Sequence, residues 1–242
     1  VERGMNAAWA SATAAIRGAL AAAELGGDEI LAVGVTGHGD GLYPLDEKGE
    51  PLGQAITSLD SRAAGIVERW CREGVRDEAL ARIGQTPFAF SPVSLLAWMQ
   101  NHQPERFAAL GHVLTCKDWL RYKLTGTIAT DFTEASTGYT DVDTQRYSRD
   151  ALSMLGIDSV FEALPEVRMA DEIAGHVCEA AARETGLKAG TPVATGLHDV
   201  TASAVGLGNI ESDTLTIAAG TFSINEVFSD APKPDPRWAT RN

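Results

Sequence analysis

The sequence predicts an α/β fold, because short apolar runs typical of strands alternate with longer segments of helical spacing. Residues 191–199 are an apolar run that ends in an acid, Asp199, and the small residues of 200–206 continue as a helix. Residues 214–223 are a second apolar run, which breaks into a turn at Gly220 and Thr221. Acids and turns at strand ends predict a ligand site at the carboxyl edge of the sheet.

Composition limits the classes of partner. The 242 residues are 44% hydrophobic, enough for a buried core. The formal net charge of -13 argues against a nucleic-acid surface, which needs clustered Lys and Arg. The apolar stretches are short and interrupted, so the sequence indicates neither a membrane span nor a signal peptide. Cys71, Cys116 and Cys178 are odd in number and far apart, which predicts reduced thiols in a cytoplasmic protein without a zinc site.

The first sixty residues predict one long helix and a loop-bearing sheet. Apolar residues at helical spacing predict a helix over 4–24, with Trp9 in the core. A strand over 30–35 then enters the polar loop 36–40. Extended chain resumes over 41–45 and 52–58, on either side of a turn at 46–49.

The middle of the chain is predominantly helical. Apolar periodicity and capping residues predict helices over 60–74, 77–83, 93–101, 104–110, 117–124, 147–155 and 178–186, with a short strand over 171–177. No low-complexity linker divides these elements, so the sequence predicts one domain over 1–208 and a second that begins at Asn209 and continues through 209–242.

The residues themselves indicate phosphoryl transfer to an alcohol. Asp199 can take the proton of a hydroxyl, while a nearby turn of backbone N–H groups at Gly220 and Thr221 can neutralise phosphate charge. Two other interpretations stay open at this stage. Aspartate at the start of a helix is often only a cap, and Gly-Thr is an ordinary hairpin turn.

Six segments in order resemble the FGGY carbohydrate kinases, most closely those of L-xylulose and related ketoses. They are residues 34–42, 55–62, 117–126, 129–136, 196–199 and 219–221. The resemblance covers nearly the whole chain and implies the actin-like, ribonuclease H-like ATPase fold. It assigns 1–208 to the N-terminal, sugar-binding lobe without its first strands. It assigns 209–242 to the beginning of the C-terminal, nucleotide-binding lobe.

The resemblance also implies roles for individual residues. Asp199 matches the catalytic base that accepts the proton of the attacking sugar hydroxyl. His38, Gly39 and Asp40 match the loop that, with Asp199, contacts the hydroxyls of the acceptor. Glycerol-specific members carry Arg and Glu in this loop, so Gly39 and Asp40 favour a longer acceptor.

For the nucleotide, the resemblance implies that Gly220 and Thr221 hold the phosphates of ATP, through backbone amides and the threonine hydroxyl. Mg²⁺ is expected to arrive with ATP, and no residue of this chain is assigned as its ligand. Family members begin with an Asp-x-Gly-Thr strand and extend well beyond the length of this sequence. The chain as it stands is therefore expected to be an incomplete, inactive portion of a kinase.

Several other polar residues have no firm role. Asp60 and Arg62 either fix the sugar loop or cap the following helix. Asp118 is interpreted as structural, since an i, i+3 acid-base pair on a helix is usually a solvated surface pair. His198 either orients the base or the substrate, or is a structural histidine. Residues 129–136 receive no separate chemical task.

The predicted function is ATP-dependent phosphorylation of a hydroxyl on a small sugar, a ketopentose such as L-xylulose or a polyol. The alternative is a non-catalytic sugar-binding or regulatory member of the actin-like fold. A third interpretation, an unrelated acidic α/β scaffold in which Asp199 only caps a helix, is disfavoured by the ordered motifs. The expected partner is a small molecule, not a nucleic acid or a membrane, and the sequence leaves a homo-oligomer open.

Overall fold

A computed structural model of the chain describes residues 1–212, 214–219 and 223–237. It is a mixed helical and stranded structure around three clusters of buried apolar side chains. Within these ranges no helix has the length and apolar character needed to cross a membrane. The three cysteines are free thiols, as the sequence predicts.

The helices follow the predicted apolar periodicity closely. The first, α1, buries Met5, Ala8 and Trp9. It ends where Glu24 takes a left-handed conformation, with φ of 56°, and its N–H bonds to the carbonyls of the last turn. The helices are α1 Met5–Ala23, α2 Ala64–Glu73, α3 Val75–Ile83, α4 Pro92–His102, α5 Pro104–Ala108, α6 Cys116–Thr125, α7 Phe132–Ala135, α8 Arg149–Met154, α9 Glu179–Thr185 and α10 Asp199–Gly206.

The strands are short and pair two by two. They are β1 Glu2–Arg3, β2 Tyr43–Leu45, β3 Ala55–Ile56, β4 His112–Leu114, β5 Ala129–Asp131, β6 Glu166–Arg168, β7 Ile173–His176, β8 Pro192–Ala194, β9 Leu215–Ala219 and β10 Ser223–Val227. Strands β5 and β6 are parallel, whereas the pairs β1–β3, β2–β4, β7–β8 and β9–β10 are antiparallel. The sequence did not predict β1, β4, β5, β6 or β10.

The strand predicted over 30–35 is wrong as a regular element. In its place Val33 forms a single parallel bridge with Val193, and Gly37 forms another with His198. The Val33 N–H donates to the Pro192 carbonyl at 2.9 Å. The ladder is interrupted between these two bridges, so the segment runs beside 192–198 without becoming a continuous strand.

Three clusters of buried apolar side chains form the core, and one of them packs against the two bridged segments. One cluster, formed mainly by α2, α3, α4 and α8, contains Trp70, Leu96 and Met99. A second joins β2 to α6 through Tyr43 and Trp119. The third packs α1 and α9 against Val193 and the 30–35 segment. Because the two bridged segments run in the same direction, their carboxyl ends meet at one edge of the fold.

Candidate functional site

Asp199 lies where these two segments end. It is the first residue of α10, and its backbone N–H donates to the Gly37 carbonyl at 3.1 Å. One residue earlier in that loop, the Thr36 hydroxyl donates to the Leu197 carbonyl at 2.9 Å. The Asp199 side chain is 47% exposed. The structure therefore brings this carboxylate to the loop 36–40, as the sequence analysis requires of a base next to an acceptor loop.

His198 packs between Asp199 and Gly39. Its Nε2 lies 3.4 Å from Asp199 Oδ1, and its side chain is 15% exposed. A Cβ on Gly39 would come within 2.0 Å of the same nitrogen, so only glycine leaves room for this ring. His198 thus contacts both the loop 36–40 and Asp199.

His38 turns partly inward. Its Nε2 lies 3.4 Å from the Tyr43 hydroxyl and its Nδ1 lies 3.3 Å from the Gly39 carbonyl. A hydrogen bond with the Cys116 thiol raises the pKa of His38, outweighing the opposite effect of burial. Burial raises the pKa of Cys116, but hydrogen bonds with His38 and Tyr43 outweigh it and leave that pKa lowered. His38 is therefore held by the core beneath the loop.

Asp40 is buried, with 5% exposure, at a sharp bend of the chain. Its φ is 59°, in the left-handed region, and that of Gly41 is 75°. A Cβ on Gly41 would meet the Ile56 carbonyl at 2.5 Å, so glycine is required both for the turn and for the close approach. The bend ends the loop 36–40 and starts β2. It leaves little of the Asp40 carboxylate accessible to a ligand.

A buried ion cluster, formed by Lys117, Asp118, Arg121 and Asp131, lies under the site. Lys117 Nζ is 2.8 Å from Asp118 Oδ1 and 2.9 Å from Asp131 Oδ1. Arg121 Nη1 is 2.9 Å from the same Asp118 oxygen and donates to the Thr195 carbonyl at 2.9 Å. The four side chains are at most 1% exposed. The interpretation of Asp118 and Arg121 as a solvated surface pair is therefore wrong, because the strand segments 129–131 and 192–195 cover this face of α6.

Glu134 is a further buried carboxyl beside the cluster. Neither of its oxygens, nor the Tyr139 hydroxyl, has a hydrogen-bond partner among the residues that the structure describes. Both side chains line a cavity of about 10 Å³, close to the volume that one water molecule needs. Burial, reinforced by the charge of Asp118, raises the pKa of Glu134 well above its ordinary value. Burial therefore favours the protonated form of this carboxyl.

Asp60 and Arg62 form a local turn. The Asp60 carboxylate accepts from the Arg62 backbone N–H and from its Nε, both at 2.8 Å. These bonds outweigh burial and lower the pKa of Asp60 to about 2. The Arg62 guanidinium also lies 4.9 Å from the centre of the Trp98 ring. The pair thus stabilises the turn before α2, but it does not cap that helix, whose N-cap is Ala63 and has no side-chain cap hydrogen bond.

Gly220 and Thr221 lie outside the residues that the structure describes. The strands on either side of them, β9 and β10, are paired antiparallel, with Ala219 opposite Ser223. Both strands contact α10, the helix that begins with Asp199. Asn209, where the predicted second domain begins, donates from Nδ2 to Thr216 Oγ1 at 2.6 Å.

No group of three or more His, Cys, Asp or Glu side chains within the described ranges is placed to hold a metal ion. Two residues that the sequence analysis left without a role also belong to the site, Lys117 and Thr133. The backbone of Lys117 packs against Gly37, so that a Cβ added to Gly37 would lie 3.2 Å from the Lys117 nitrogen. Thr133 Oγ1 accepts from the His198 N–H at 2.9 Å. Both depend on tertiary contacts that no local pattern encodes.

Comparison with known protein families gives one match over most of the chain. The N-terminal domain of the FGGY family of carbohydrate kinases matches residues 1–206. An L-xylulose/3-keto-L-gulonate kinase of Escherichia coli K12 is 37% identical over 224 residues, which are 92% of this chain and 45% of that protein. An autoinducer-2 kinase of Salmonella paratyphi B is 31% identical over 236 residues, 96% of this chain and 44% of that protein.

Solved structures agree on the fold. A ligand-bound xylulose kinase from Lactobacillus acidophilus superposes with a TM-score of 0.89 at 24% identity, covering 98% of this chain and 47% of its own. A xylulose kinase from Rhodospirillum rubrum superposes with a TM-score of 0.87 at 26% identity, covering 98% and 48%. The actin-like α/β fold expected from the sequence is confirmed. The chain spans about half the length of the relatives that it matches.

Proposed function

This chain belongs to the FGGY family of carbohydrate kinases, and we propose that the protein containing it transfers the terminal phosphoryl group of ATP to a hydroxyl of a small sugar. The acceptor is a ketopentose such as L-xylulose, or a polyol. One observation carries the proposal: a half-exposed carboxylate, Asp199, stands at the start of a helix and directly against the loop 36–40. A carboxylate in that place can reach the hydroxyl of a bound acceptor.

Asp199 acts as the general base. Its carboxylate accepts the hydroxyl proton while the oxygen of that hydroxyl forms a bond to the terminal phosphorus and the bond to ADP breaks. His198 Nε2, 3.4 Å from Asp199 Oδ1, limits the rotation of the carboxylate. When bound, Mg²⁺ and ATP supply the phosphoryl group and the charge that neutralises its oxygens.

His38, Gly39 and Asp40 form the proposed acceptor wall with Asp199. His38 is anchored to Tyr43 and Asp40 is almost completely buried, so the wall is rigid and offers few polar atoms. In such a site each acceptor hydroxyl needs a matching partner, because an unpaired buried polar group strongly disfavours an analogue. We therefore expect marked discrimination between sugars that differ at one hydroxyl.

The nucleotide is proposed to bind at Gly220 and Thr221, with the phosphates facing Asp199. The contact of β9 and β10 with α10 supports this assignment, because it attaches the hairpin to the helix that carries the base. The 1–208 and 209–242 portions are proposed as the sugar-binding lobe and the start of the nucleotide-binding lobe. The three free thiols favour a cytoplasmic location.

The acceptor class follows the relatives. An L-xylulose/3-keto-L-gulonate kinase at 37% identity and autoinducer-2 kinases at 31% both cover more than nine-tenths of this chain. The higher identity, together with Gly39 and Asp40 in the acceptor loop, favours L-xylulose and similar ketoses as the first candidates.

The test is ADP formation by the complete protein that contains this chain, measured with ATP, Mg²⁺ and a panel of ketopentoses, pentitols and glycerol. We expect ADP release that depends on the sugar and is strongest with one ketopentose. Calorimetric binding of a sugar with no ADP formed from any acceptor would favour the regulatory alternative and contradict the proposal.

A further inference from the structure

Thr133 connects the buried ion cluster to the turn that carries Asp199. It is the second residue of α7. Its hydroxyl oxygen accepts the backbone N–H of His198 at 2.9 Å, across 65 residues of sequence. The same hydroxyl donates to Asp131 Oδ2, which also accepts the Thr133 backbone N–H at 2.8 Å.

The direction of these bonds is fixed by chemistry. The Asp131 carboxylate is 1% exposed and lies 2.9 Å from Lys117 Nζ, and as the partner of that ammonium group it accepts hydrogen bonds. The Thr133 hydroxyl must give its proton to that carboxylate. A lone pair of the same oxygen accepts the backbone N–H of His198. A threonine hydroxyl is thus set to hold this one amide in place.

The amide it holds belongs to the turn that positions Asp199. His198 precedes α10, and the next N–H, that of Asp199, donates to the Gly37 carbonyl at 3.1 Å. The turn is fixed on one side by the loop 36–40 and on the other by Thr133. Within the described ranges the Asp199 carboxylate has one close polar contact, His198 at 3.4 Å. Its place in the site therefore depends on the backbone, more than on bonds of its own side chain.

We propose that Thr133 is the positioning residue of the Asp199 base, through a relay in which Lys117 forms an ion pair with Asp131, the Thr133 hydroxyl donates to Asp131, and the His198 amide donates to Thr133. This inference rests on the proposed function, since it assigns Thr133 a role in the same reaction. Thr133 does not touch the reacting atoms. It acts by keeping the start of α10 at the distance from the acceptor loop that proton transfer needs.

The test compares three variants of the complete protein. Thr133→Val keeps the shape and removes the hydroxyl, whereas Thr133→Ser keeps the hydroxyl. The control is Thr137→Val, because the Thr137 hydroxyl is also buried but donates only to the Glu134 carbonyl, at 2.7 Å. Two quantities are measured for each: kcat and KM for the sugar, and hydrogen exchange of the peptide that contains the His198 and Asp199 amides.

For Thr133→Val we expect kcat to fall by about 10- to 100-fold, as for a displaced catalytic group, with KM for the sugar changed by less than about threefold. Exchange of the His198 amide should become at least about tenfold faster. Thr133→Ser should restore both quantities to near the wild-type values. Thr137→Val should leave both unchanged.

Wild-type kcat in Thr133→Val, or an equal loss of kcat in Thr137→Val, would overturn the proposal, as would an unchanged exchange rate at His198. The exchange measurement does not need turnover. If the wild-type protein formed no ADP with any acceptor, the proposed function would fail, while faster exchange in Thr133→Val alone would still support the relay to the turn at residues 198–199.

Discussion

The carboxylate at the exposed edge of the site and the carboxylate in the buried ion cluster differ in exposure and in the number of groups that contact them. At the edge, the Asp199 carboxylate is 47% exposed and, among the described residues, has one close polar contact, with His198. In the buried ion cluster, the Asp118 carboxylate is 1% exposed and is contacted by Lys117 and Arg121, while the Thr130 hydroxyl donates to it at 2.6 Å. One carboxylate is left available, and the other is fully occupied.

This difference distinguishes a carboxylate that can react with a ligand from one that stabilises the fold. A carboxylate with few partners can accept a proton from a ligand without first losing bonds inside the protein. A carboxylate with several buried partners cannot do so, and removing it takes away the partner that two buried cations share. Substitutions at the edge should therefore change activity more than stability, and substitutions in the cluster should change stability first.

The largest effect is expected from Asp118→Ala. The variant leaves Lys117 and Arg121 buried without their shared partner, so the free energy of unfolding should fall by about 3–5 kcal/mol. Denaturant titration of the complete protein measures it. Glu78→Ala is the control, since its pair with Arg82 is half exposed and should contribute at most about 0.5 kcal/mol. Equal losses in the two variants would show that the cluster does not support the fold as described.

A smaller effect is expected at the edge from Gly39→Ala. The added methyl group would overlap the His198 ring, so His198 and Asp199 must move, and kcat/KM should fall by up to about 100-fold. Gly65→Ala in α2 is the control, because no atom lies within 4 Å of the added Cβ. Steady-state kinetics distinguishes the two. Wild-type kcat/KM in Gly39→Ala would mean that activity does not depend on the position of the His198 ring.

The weakest effect should come from the proton on Glu134. Its pKa is raised in the folded protein, whereas the unfolded chain releases the proton near the ordinary value of 4.5. The folded state therefore holds more protons above that pH, and wild-type stability falls as pH rises towards the folded pKa. Glu134→Gln lacks this dependence. Its advantage in unfolding free energy should grow by up to about 1.4 kcal/mol between about pH 5 and 6.

Urea titrations of wild type and Glu134→Gln at several pH values measure this difference. A constant difference across that range would contradict a protonated Glu134.

The sequence predicts the helices and the place of Asp199 well, but not the support beneath the site. The sequence predicts helix α1 because Met5 and Trp9 recur at helical spacing. Strands β4, β5 and β6 have three residues each, too few for an alternating pattern to appear. The sequence analysis therefore missed β5, which brings Asp131 to Lys117 and makes a surface-like pair on α6 a buried one.

The acceptor loop shows the same limit. The sequence singles out residues 38–40, but the inward position of His38 follows from Tyr43 and Cys116, which lie on other elements. The role of Thr133 depends on a hydrogen bond across 65 residues. Contacts of that range have no local signal in a single sequence.

The central claim is that Asp199 is the base at the exposed edge, and Asp199→Asn tests it most directly. In the complete protein, kcat for the sugar that wild type phosphorylates should fall by about 10²- to 10⁴-fold, because the amide cannot accept the hydroxyl proton. The Kd for that sugar should change by less than about threefold, and the unfolding free energy by less than about 0.5 kcal/mol. A kcat within about threefold of wild type would contradict the account.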